Sequence, residues 1–469
     1  MILPRGMLHP WRIRKIMYLC TGFSIMRYGS LTKLLVSLAL PIFIDTLLVM
    51  TLGAADTFML SRYSDESVAA VGLVNQLVNI VFIIFQVISM ATSILCSQYV
   101  GAGQRDRVLQ VMGISVLFNL ILGMGFSVFL HGKAAHLLGM MGVREELYAQ
   151  SFTYMRTVGA FAFFQAVSLS AAAALRSVDM AYYPMYVSGL VNVINILGNY
   201  ALIFGKFGLP ALGVQGAAIS TVLCRGLSSA LLLFLLFRKY IVHLPKGLFR
   251  PFPWQEAGKL FKVGIPSAGE QMSYSLSMVV VTYFINFLGN DELATRTYAQ
   301  TITMFVYLFS MAAAQGGAIV IGHLTGMKKY EAAFALGRRV LRVSAAVTFV
   351  LSFLTACFGH TIYSLLSDNE HIIRLGAIVL WVDIMVEVGR AVNLFAVNSL
   401  RAAGDIYYPV TVGIIVCWTV TVGGSWLLGI GLHGGLIALW CALVLDECTR
   451  GIIFIRRWKS RKWTAKSLV

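Results

Sequence analysis

Charge is scarce in this chain. Of 469 residues only 12% are charged against 58% hydrophobic, and acids are scarcest, with 20 Asp and Glu facing 37 Lys and Arg. A soluble globular chain carries about twice that share of charge, so a water-soluble enzyme or carrier is excluded. Cysteine is sparse too: there are seven, six of them in or at the ends of apolar stretches, and no CxxC pair. Buried small hydrophobes, not a disulfide or metal framework, are expected from that pattern. The eight histidines show no ligand spacing, and no cofactor is expected. No GxxxxGK[ST] loop occurs, so no nucleotide drives the chain directly. Nor does any HExxH, GxSxG or acid–histidine set offer catalysis.

Long apolar runs are abundant. Stretches of about 20 residues, enough to cross a bilayer, recur throughout. The bilayer core offers the backbone no water, so they must be helices, and short alternating β-barrel segments are missing. Twelve spans are predicted, roughly at 31–61, 68–96, 108–130, 151–174, 185–205, 214–237, 256–289, 295–322, 333–358, 375–400, 409–430 and 434–456. The first is longer than a straight crossing needs and contains Pro41, so a bent or protruding helix is expected there.

The formal net charge of +17 is distributed by topology, not as a nucleic-acid footprint. With an even span count, both termini share one side. That side collects Arg5, Arg12, Arg14, Lys15, Arg27, Arg105, Arg107, Arg238, Lys239, Lys328, Lys329 and the tail bases from Arg456 to Lys466. The positive-inside rule makes this side cytoplasmic, with anionic lipid as its partner. Residues 1–25 are a poor signal peptide because Arg12, Arg14 and Lys15 interrupt any apolar core, and Met26 is a second candidate start. The expected organisation is a cytoplasmic extension over 1–30, an N-lobe over 31–240, a Pro- and base-rich linker over 241–255, a C-lobe over 256–458 and a basic tail over 459–469.

The chain also repeats itself. Pro41 pairs with Pro266 (266 − 41 = 225), and the same offset joins Asp45 to Glu270, Gly101 to Gly326, Leu175-Arg176 to Leu400-Arg401, and Tyr182-Tyr183-Pro184 to Tyr407-Tyr408-Pro409. Six spans per half put both halves into the membrane in the same direction, and the cleft between two such bundles is the expected ligand site. An all-α polytopic protein of two pseudo-symmetric six-helix bundles follows.

A few polar residues stand inside the spans. Asp45 lies about halfway along the first, where a carboxylate costs about 3 kcal/mol on insertion scales. Desolvation favours its neutral form, so it is a candidate proton carrier, and Glu270 stands at the equivalent point of span 7. Gln271, Tyr274 and Ser277 extend a polar stripe from Glu270 that suits a hydrated cavity or a sodium site. In span 10, Asp383, Glu387, Arg390 and Asn393 line one face, with Glu387 and Arg390 spaced to pair; a self-neutralised structural set and a coupling role are both open. Asp446, Glu447 and Arg450 form a similar set in span 12, read as structural. Asn192 and Asn195 in span 5 can line a pore or join helices. Asp56, shallower than Asp45, reads as an interface or loop-fixing residue. Tyr274, Tyr298 and Met304 are candidate walls for flat apolar cations.

Taken together, these residues resemble the MATE (multidrug and toxic compound extrusion) transporters from about Leu31 to Trp463. The resemblance is carried by Ala39-Leu40-Pro41 with Asp45; Asp56-Thr57 before Ala69-Ala70-Val71-Gly72; Gly101-Ala102-Gly103; Leu175-Arg176 with Asp179 and Pro184; Gly264-Ile265-Pro266 with Glu270; and Leu400-Arg401-Ala402-Ala403-Gly404-Asp405 with Pro409. It implies alternating access by two six-helix bundles in the plasma membrane, and export of small organic cations in exchange for H+ or Na+. Asp45 matches the acid of the first helix used for cation coupling, and Glu270 the helix-7 acid of the NorM-like branch. Where that branch has a helix-10 acid this chain has Arg390, with Glu387 or Asp383 as substitutes on the same face. The DinF-like branch has an acid in helix 5, where this chain has asparagines. The expected coupling set is therefore Asp45, Glu270, Glu387 and Asp383, with Na+ possible at Glu270 and a monomer as the working unit. A lipid-linked oligosaccharide flippase of related fold is the alternative; twelve spans and mid-membrane acids disfavour it.

Overall fold

The computed structural model describes residues 30–241 and 247–469. The expected N-terminal extension, with Arg5, Arg12, Arg14, Lys15 and Arg27, lies outside the described residues, as do Pro245 and Lys246 of the expected linker.

Twelve long helices make up the described chain, and it contains no strand. The first six are α1 (Leu31–Ser61), α2 (Asp65–Gly101), α3 (Arg105–Gly132), α4 (Glu145–Ala160 and Ala162–Ser177), α5 (Tyr182–Phe204) and α6 (Val214–Lys239). The second six are α7 (Trp254–Asn286), α8 (Asn290–Gly326), α9 (Tyr330–Cys357), α10 (Glu370–Ala402), α11 (Tyr407–Gly431) and α12 (Gly435–Lys459). Their starts follow from local chemistry. Ser30 accepts from the Lys33 amide at 3.2 Å and Ser64 from the Ser67 amide at 3.1 Å, each satisfying a donor the first helical turn leaves free. Asn369 caps α10 through the His371 amide at 2.9 Å. Pro41 and Pro266 lie inside α1 and α7, each removing one ladder hydrogen bond at an equivalent depth. The two pieces of α4 meet at 47°. In α11 the turns widen to π-helix over Cys417–Val422 and Ser425–Gly431, a geometry that often marks a functional segment.

Eight of these helices are long and apolar enough to cross a membrane, and the two pieces of α4 qualify together. The three that fall short, α7, α10 and α12, carry Glu270, the Asp383–Asn393 face and the Asp446–Arg450 set. Their deficit in apolarity comes from a face turned away from lipid. Elsewhere the outward surface is a belt of large apolar side chains such as Val49, Phe58, Ile121, Leu223 and Phe305, all more than half exposed, as a lipid-facing surface requires.

The two lobes meet at the end of the molecule where α1 begins and α12 ends. There α2 and α8 cross. Gln98 Nε2 donates to the Ala402 carbonyl at 2.7 Å, and His323 Nε2 lies 2.9 Å from the Ser177 carbonyl. These bonds are images of one another under the sequence repeat (323 − 98 = 225 and 402 − 177 = 225). Gly101 faces the backbone of His323, and its image Gly326 faces the backbone of Gln98. At the same end Glu256, buried at the start of α7, takes hydrogen bonds from Tyr99 and, at 2.9 Å, from Arg107 of the first lobe. The tail then lies across the crossing, with the Leu468 amide 2.9 Å from Gln98 Oε1.

Trp463 anchors that tail. It is fully buried, its ring stacks on Trp458 at 4.3 Å, and its Nε1 donates to the Trp458 carbonyl at 2.9 Å. Trp463→Ala is expected to destabilise the protein by about 3–5 kcal/mol, the usual loss for a large buried aromatic. Thermal unfolding of the solubilised full-length protein checks this; an unchanged midpoint would mean the tail does not contribute to the fold.

Candidate functional site

The duplicated acids are not free. Asp45 in α1 is paired with Arg176 at the end of α4, and Glu270 in α7 with Arg401 at the end of α10. Each pair spans 131 residues, so the same ion pair forms twice. A carboxylate in the apolar layer needs a partner to remain charged, and in each lobe the arginine of the repeated Leu-Arg dipeptide supplies it.

The copies differ in one respect. Ser188 donates to the other Asp45 oxygen at 2.5 Å. Asp45 is 4% exposed, with both oxygens bonded. The repeat equivalent of Ser188 is Gly413 (413 − 188 = 225). It brings no hydroxyl, and a Cβ built on it would lie 3.0 Å from Glu270 Oε1. The longer glutamate occupies the room the serine side chain takes in the first lobe, and Glu270 lines a cavity.

That cavity has a volume of about 440 Å³ and is lined by α7, α8, α10, α11 and α12. Every residue that lines this cavity lies between Glu270 and Arg450, in the second lobe. The reason is where buried charge sits. The first lobe closes its polar groups on one another, as in the Thr92–Ser115 contact at 2.6 Å and the Asn119–Ser170 contact at 2.5 Å. The second lobe keeps a row of carboxylates and guanidiniums that cannot be packed dry.

Two arginines organise this row. Arg390 pairs with Glu387 and lies 3.5 Å from Glu447; Arg450 pairs with Asp446 and lies 3.3 Å from the same Glu447 oxygen. Asn393 donates to the second Glu447 oxygen at 2.7 Å. The α10 and α12 sets, separate in sequence, are thus one network across two helices. Glu387 is fully buried behind Arg390, and its Oε2 has no hydrogen-bond partner; neither does Asp446 Oδ1. Asp383 is buried and accepts from Trp440 Nε1 at 2.9 Å.

Of the residues singled out from sequence, Glu270, Gln271, Tyr274, Met304, Asp383, Arg390 and Asn393 line the cavity, and Glu387 backs it. Others belong elsewhere. Asp45 is held by Arg176 and Ser188 in the first lobe. Asn192 donates to the Leu48 carbonyl at 2.6 Å, tying α5 to α1, and Asn195 contacts Ser220 at 3.4 Å and Asn199 at 3.0 Å; both are joints between or within helices. Tyr298 packs its ring edge-on against Tyr363 at 6.2 Å, within an apolar cluster. Asp56 accepts from Asn199 at 2.7 Å, joining α1 to α5. Sequence reasoning missed Arg176, Arg401, Ser188 and Arg296. The signal for the first two was present: both repeats carry an arginine at a fixed distance from the acid. Among the described residues no cluster of three or more His, Cys, Asp or Glu could hold a metal ion, and a cation at Glu270 would have to take the place of Arg401.

Comparison with known proteins fits this architecture. The MatE family model matches residues 41–201 and again 266–427, so its two matches begin at Pro41 and at the repeat-equivalent Pro266. The chain is 37% identical over 436 residues to the uncharacterized transporter YisQ of Bacillus subtilis, covering 92% of this chain and 95% of that one. It is 23% identical to the probable multidrug resistance protein NorM of Thermotoga maritima, over 94% and 95% of the two chains. A transporter of the MOP superfamily from Pyrococcus furiosus, described as having a binding pocket of reverse polarity, superposes with a TM-score of 0.84 at 20% identity, over 94% of this chain and 98% of that one; this likeness establishes the fold. With both halves matched by the family model and a relative at 37% identity along almost the whole length, the chain belongs to the MatE family and is a multi-pass membrane transporter, not an enzyme.

Proposed function

We propose that this transporter is a secondary antiporter of the plasma membrane that exports small organic cations in exchange for H+ or Na+. The observation that carries the reading is Glu270: of the two duplicated acids, it is the one that lines the cavity, where it is paired with Arg401. The basic end, where the lobes are joined, is the cytoplasmic end by the positive-inside rule. The conformation described is therefore closed to the cytoplasm.

The working cycle is a competition at Glu270. Arg401 neutralises it when the site holds neither ion nor substrate. A coupling ion arriving from outside takes the carboxylate from the exported cation and displaces it. The change of state follows because ion and substrate bind the two conformations unequally. Tyr274 and Met304 supply π and soft apolar contacts for a flat cation. Glu387 holds Arg390 in place from behind the site, and Asp383, bonded to Trp440, forms part of the cavity wall.

Ethidium efflux from cells expressing the protein tests this. Efflux should depend on the ion gradient, and Glu270→Gln should abolish it. Efflux retained after sodium replacement assigns the coupling to protons; efflux lost assigns it to sodium. Normal pumping by Glu270→Gln would overturn the coupling assignment.

A further inference from the structure

The repeat closes the cytoplasmic end in two matching halves, with one exception. Gln98 and His323 are images of one another, and each places its Nε2 on a carbonyl of the opposite lobe. Each side chain then has one polar atom left. His323 Nδ1 stands 3.8 Å from a carboxylate oxygen of Asp179, on the connection between α4 and α5. The image of Asp179 is Gly404 (404 − 179 = 225), on the connection between α10 and α11, and it has no side chain to offer Gln98.

The tail takes that place. Gln98 Oε1 accepts from the Leu468 amide at 2.9 Å and from the Ser467 hydroxyl at 3.4 Å. A Cβ built on Gly404 would run into the Lys466 carbonyl and lie 3.4 Å from Leu468 Cγ. The tail therefore fills room that a side chain occupies at the equivalent position of the first repeat. Between Trp463 and Leu468 (468 − 463 = 5) it also passes from one core to the other. Trp463 is buried in a cluster with Leu400, Phe454 and Trp458 of the second lobe. Leu468 and Val469 pack on a cluster drawn chiefly from the first lobe, with Leu95, Tyr99 and Leu175 among its members.

We propose that residues 467–469 are a strap that latches the cytoplasmic end shut. The strap is anchored through Trp463 in one lobe and seated on Gln98 of the other, so it must leave Gln98 before the lobes part at this end. A contact made in one conformation and lost in the other shifts the balance between them. The strap thus sets how often the cytoplasmic side opens to load cargo. On the other side of the crossing the matching place is held by Asp179, which belongs to the body of its lobe and cannot detach. The proposal rests on the transporter reading only in needing a cytoplasm-open state; neither the coupling ion nor the cargo enters it.

Deleting residues 467–469 tests this and leaves Trp463 in place. Two reporters are needed, each in the otherwise full-length protein cleared of native thiols. Ser97→Cys sits at a position 1% exposed, against Gly322 where the lobes cross. Ser115→Cys sits at a fully buried position among contacts to Thr92 and Ser170 within the first lobe. Losing a backbone hydrogen bond and a partly buried leucine moves an equilibrium about fivefold or more. A maleimide should accordingly label Ser97→Cys at least about fivefold faster in the deleted protein, with Ser115→Cys within about twofold, because the lobes part as units. Leu468→Asp, which sets a charge against the first-lobe cluster and keeps the rest of the tail, should act in the same direction and replaces the deletion if that protein does not fold. Unchanged labelling of Ser97→Cys overturns the proposal. Equal acceleration at both cysteines overturns it as well, and marks the tail as general packing. Ion-driven ethidium export decides the transporter reading separately, so either test can fail while the other passes.

Discussion

Neutralising both members of the Glu270–Arg401 pair is expected to reduce ion-driven ethidium export by at least about 100-fold, whereas neutralising both members of the Asp45–Arg176 pair leaves it within about threefold of wild type. The pairs are near copies: same helices in the repeat, same separation of 131 residues. What separates them is access. Asp45 has both oxygens bonded and little exposure, while Glu270 borders the cavity and its Oε1 faces a glycine in place of Ser188. Single substitutions would confuse the comparison, because each leaves its partner charge unpaired. The penalty for such an orphan is about 3–5 kcal/mol when fully buried, and less here because Arg176 keeps 25% of its side-chain exposure. Asp45→Asn alone is therefore expected to lower stability, and Asp45→Asn with Arg176→Gln to recover most of it. Glu270→Gln with Arg401→Gln should recover stability in the same way without recovering export. Thermal unfolding and efflux measured on both double variants and on Asp45→Asn and Glu270→Gln alone check both statements. If the first-lobe double variant also loses export while remaining folded, Asp45 takes part in coupling and the assignment to one lobe is wrong.

Much of this was legible in the sequence. The duplication, the twelve helices and the depth of Asp45 and Glu270 follow from apolar length, a constant offset and proline position. Leu175-Arg176 and Leu400-Arg401 were also visible as repeats, yet nothing local says that a residue 131 positions away reaches the acid; that contact is made by the bundle. The candidate side chains that do not line this cavity share one cause. Tyr298, Asn192 and Asn195 sit on long helices with more than one packed face, so periodicity does not tell which face looks into a cavity. Arg296 stands near the start of span 8, where the sequence alone does not tell a loop charge from a buried one. Its burial depends on α7 folding back to place Thr282 against it. The three helices with the weakest membrane signal, α7, α10 and α12, proved to be the informative ones: what they lack in apolarity is the cavity wall.

The other large effect is expected at the crossing of α2 and α8. Replacing Gly326 by leucine should disable transport by about 100-fold or more and hold the molecule open at the end that is closed here. A Cβ at Gly326 would fall inside the contact shell of the Gln98 carbonyl, and one at Gly101 inside that of His323. In both cases the obstacle is backbone, which has no rotamer to change, so the helices themselves must separate. Overpacking a well-fitted contact costs about 1–3 kcal/mol when side chains can yield, and more is expected where they cannot. Moving a two-state balance from 1:99 to 99:1 takes about 5.5 kcal/mol. The separation would also break the Gln98–Ala402 and His323–Ser177 bonds and the tail contact at Leu468, which adds to the shift. Because one separation relieves both clashes, Gly101→Leu with Gly326→Leu should be little worse than either alone, a non-additivity typical of coupled sites. Ser97, 1% exposed and packed against Gly322 in the crossing, provides the reporter. As cysteine in a background cleared of native thiols, it should react with a maleimide at least about tenfold faster in the Gly326→Leu protein than with glycine in place. Unchanged labelling together with undiminished export would mean that this crossing is not the closure on which the transport cycle turns.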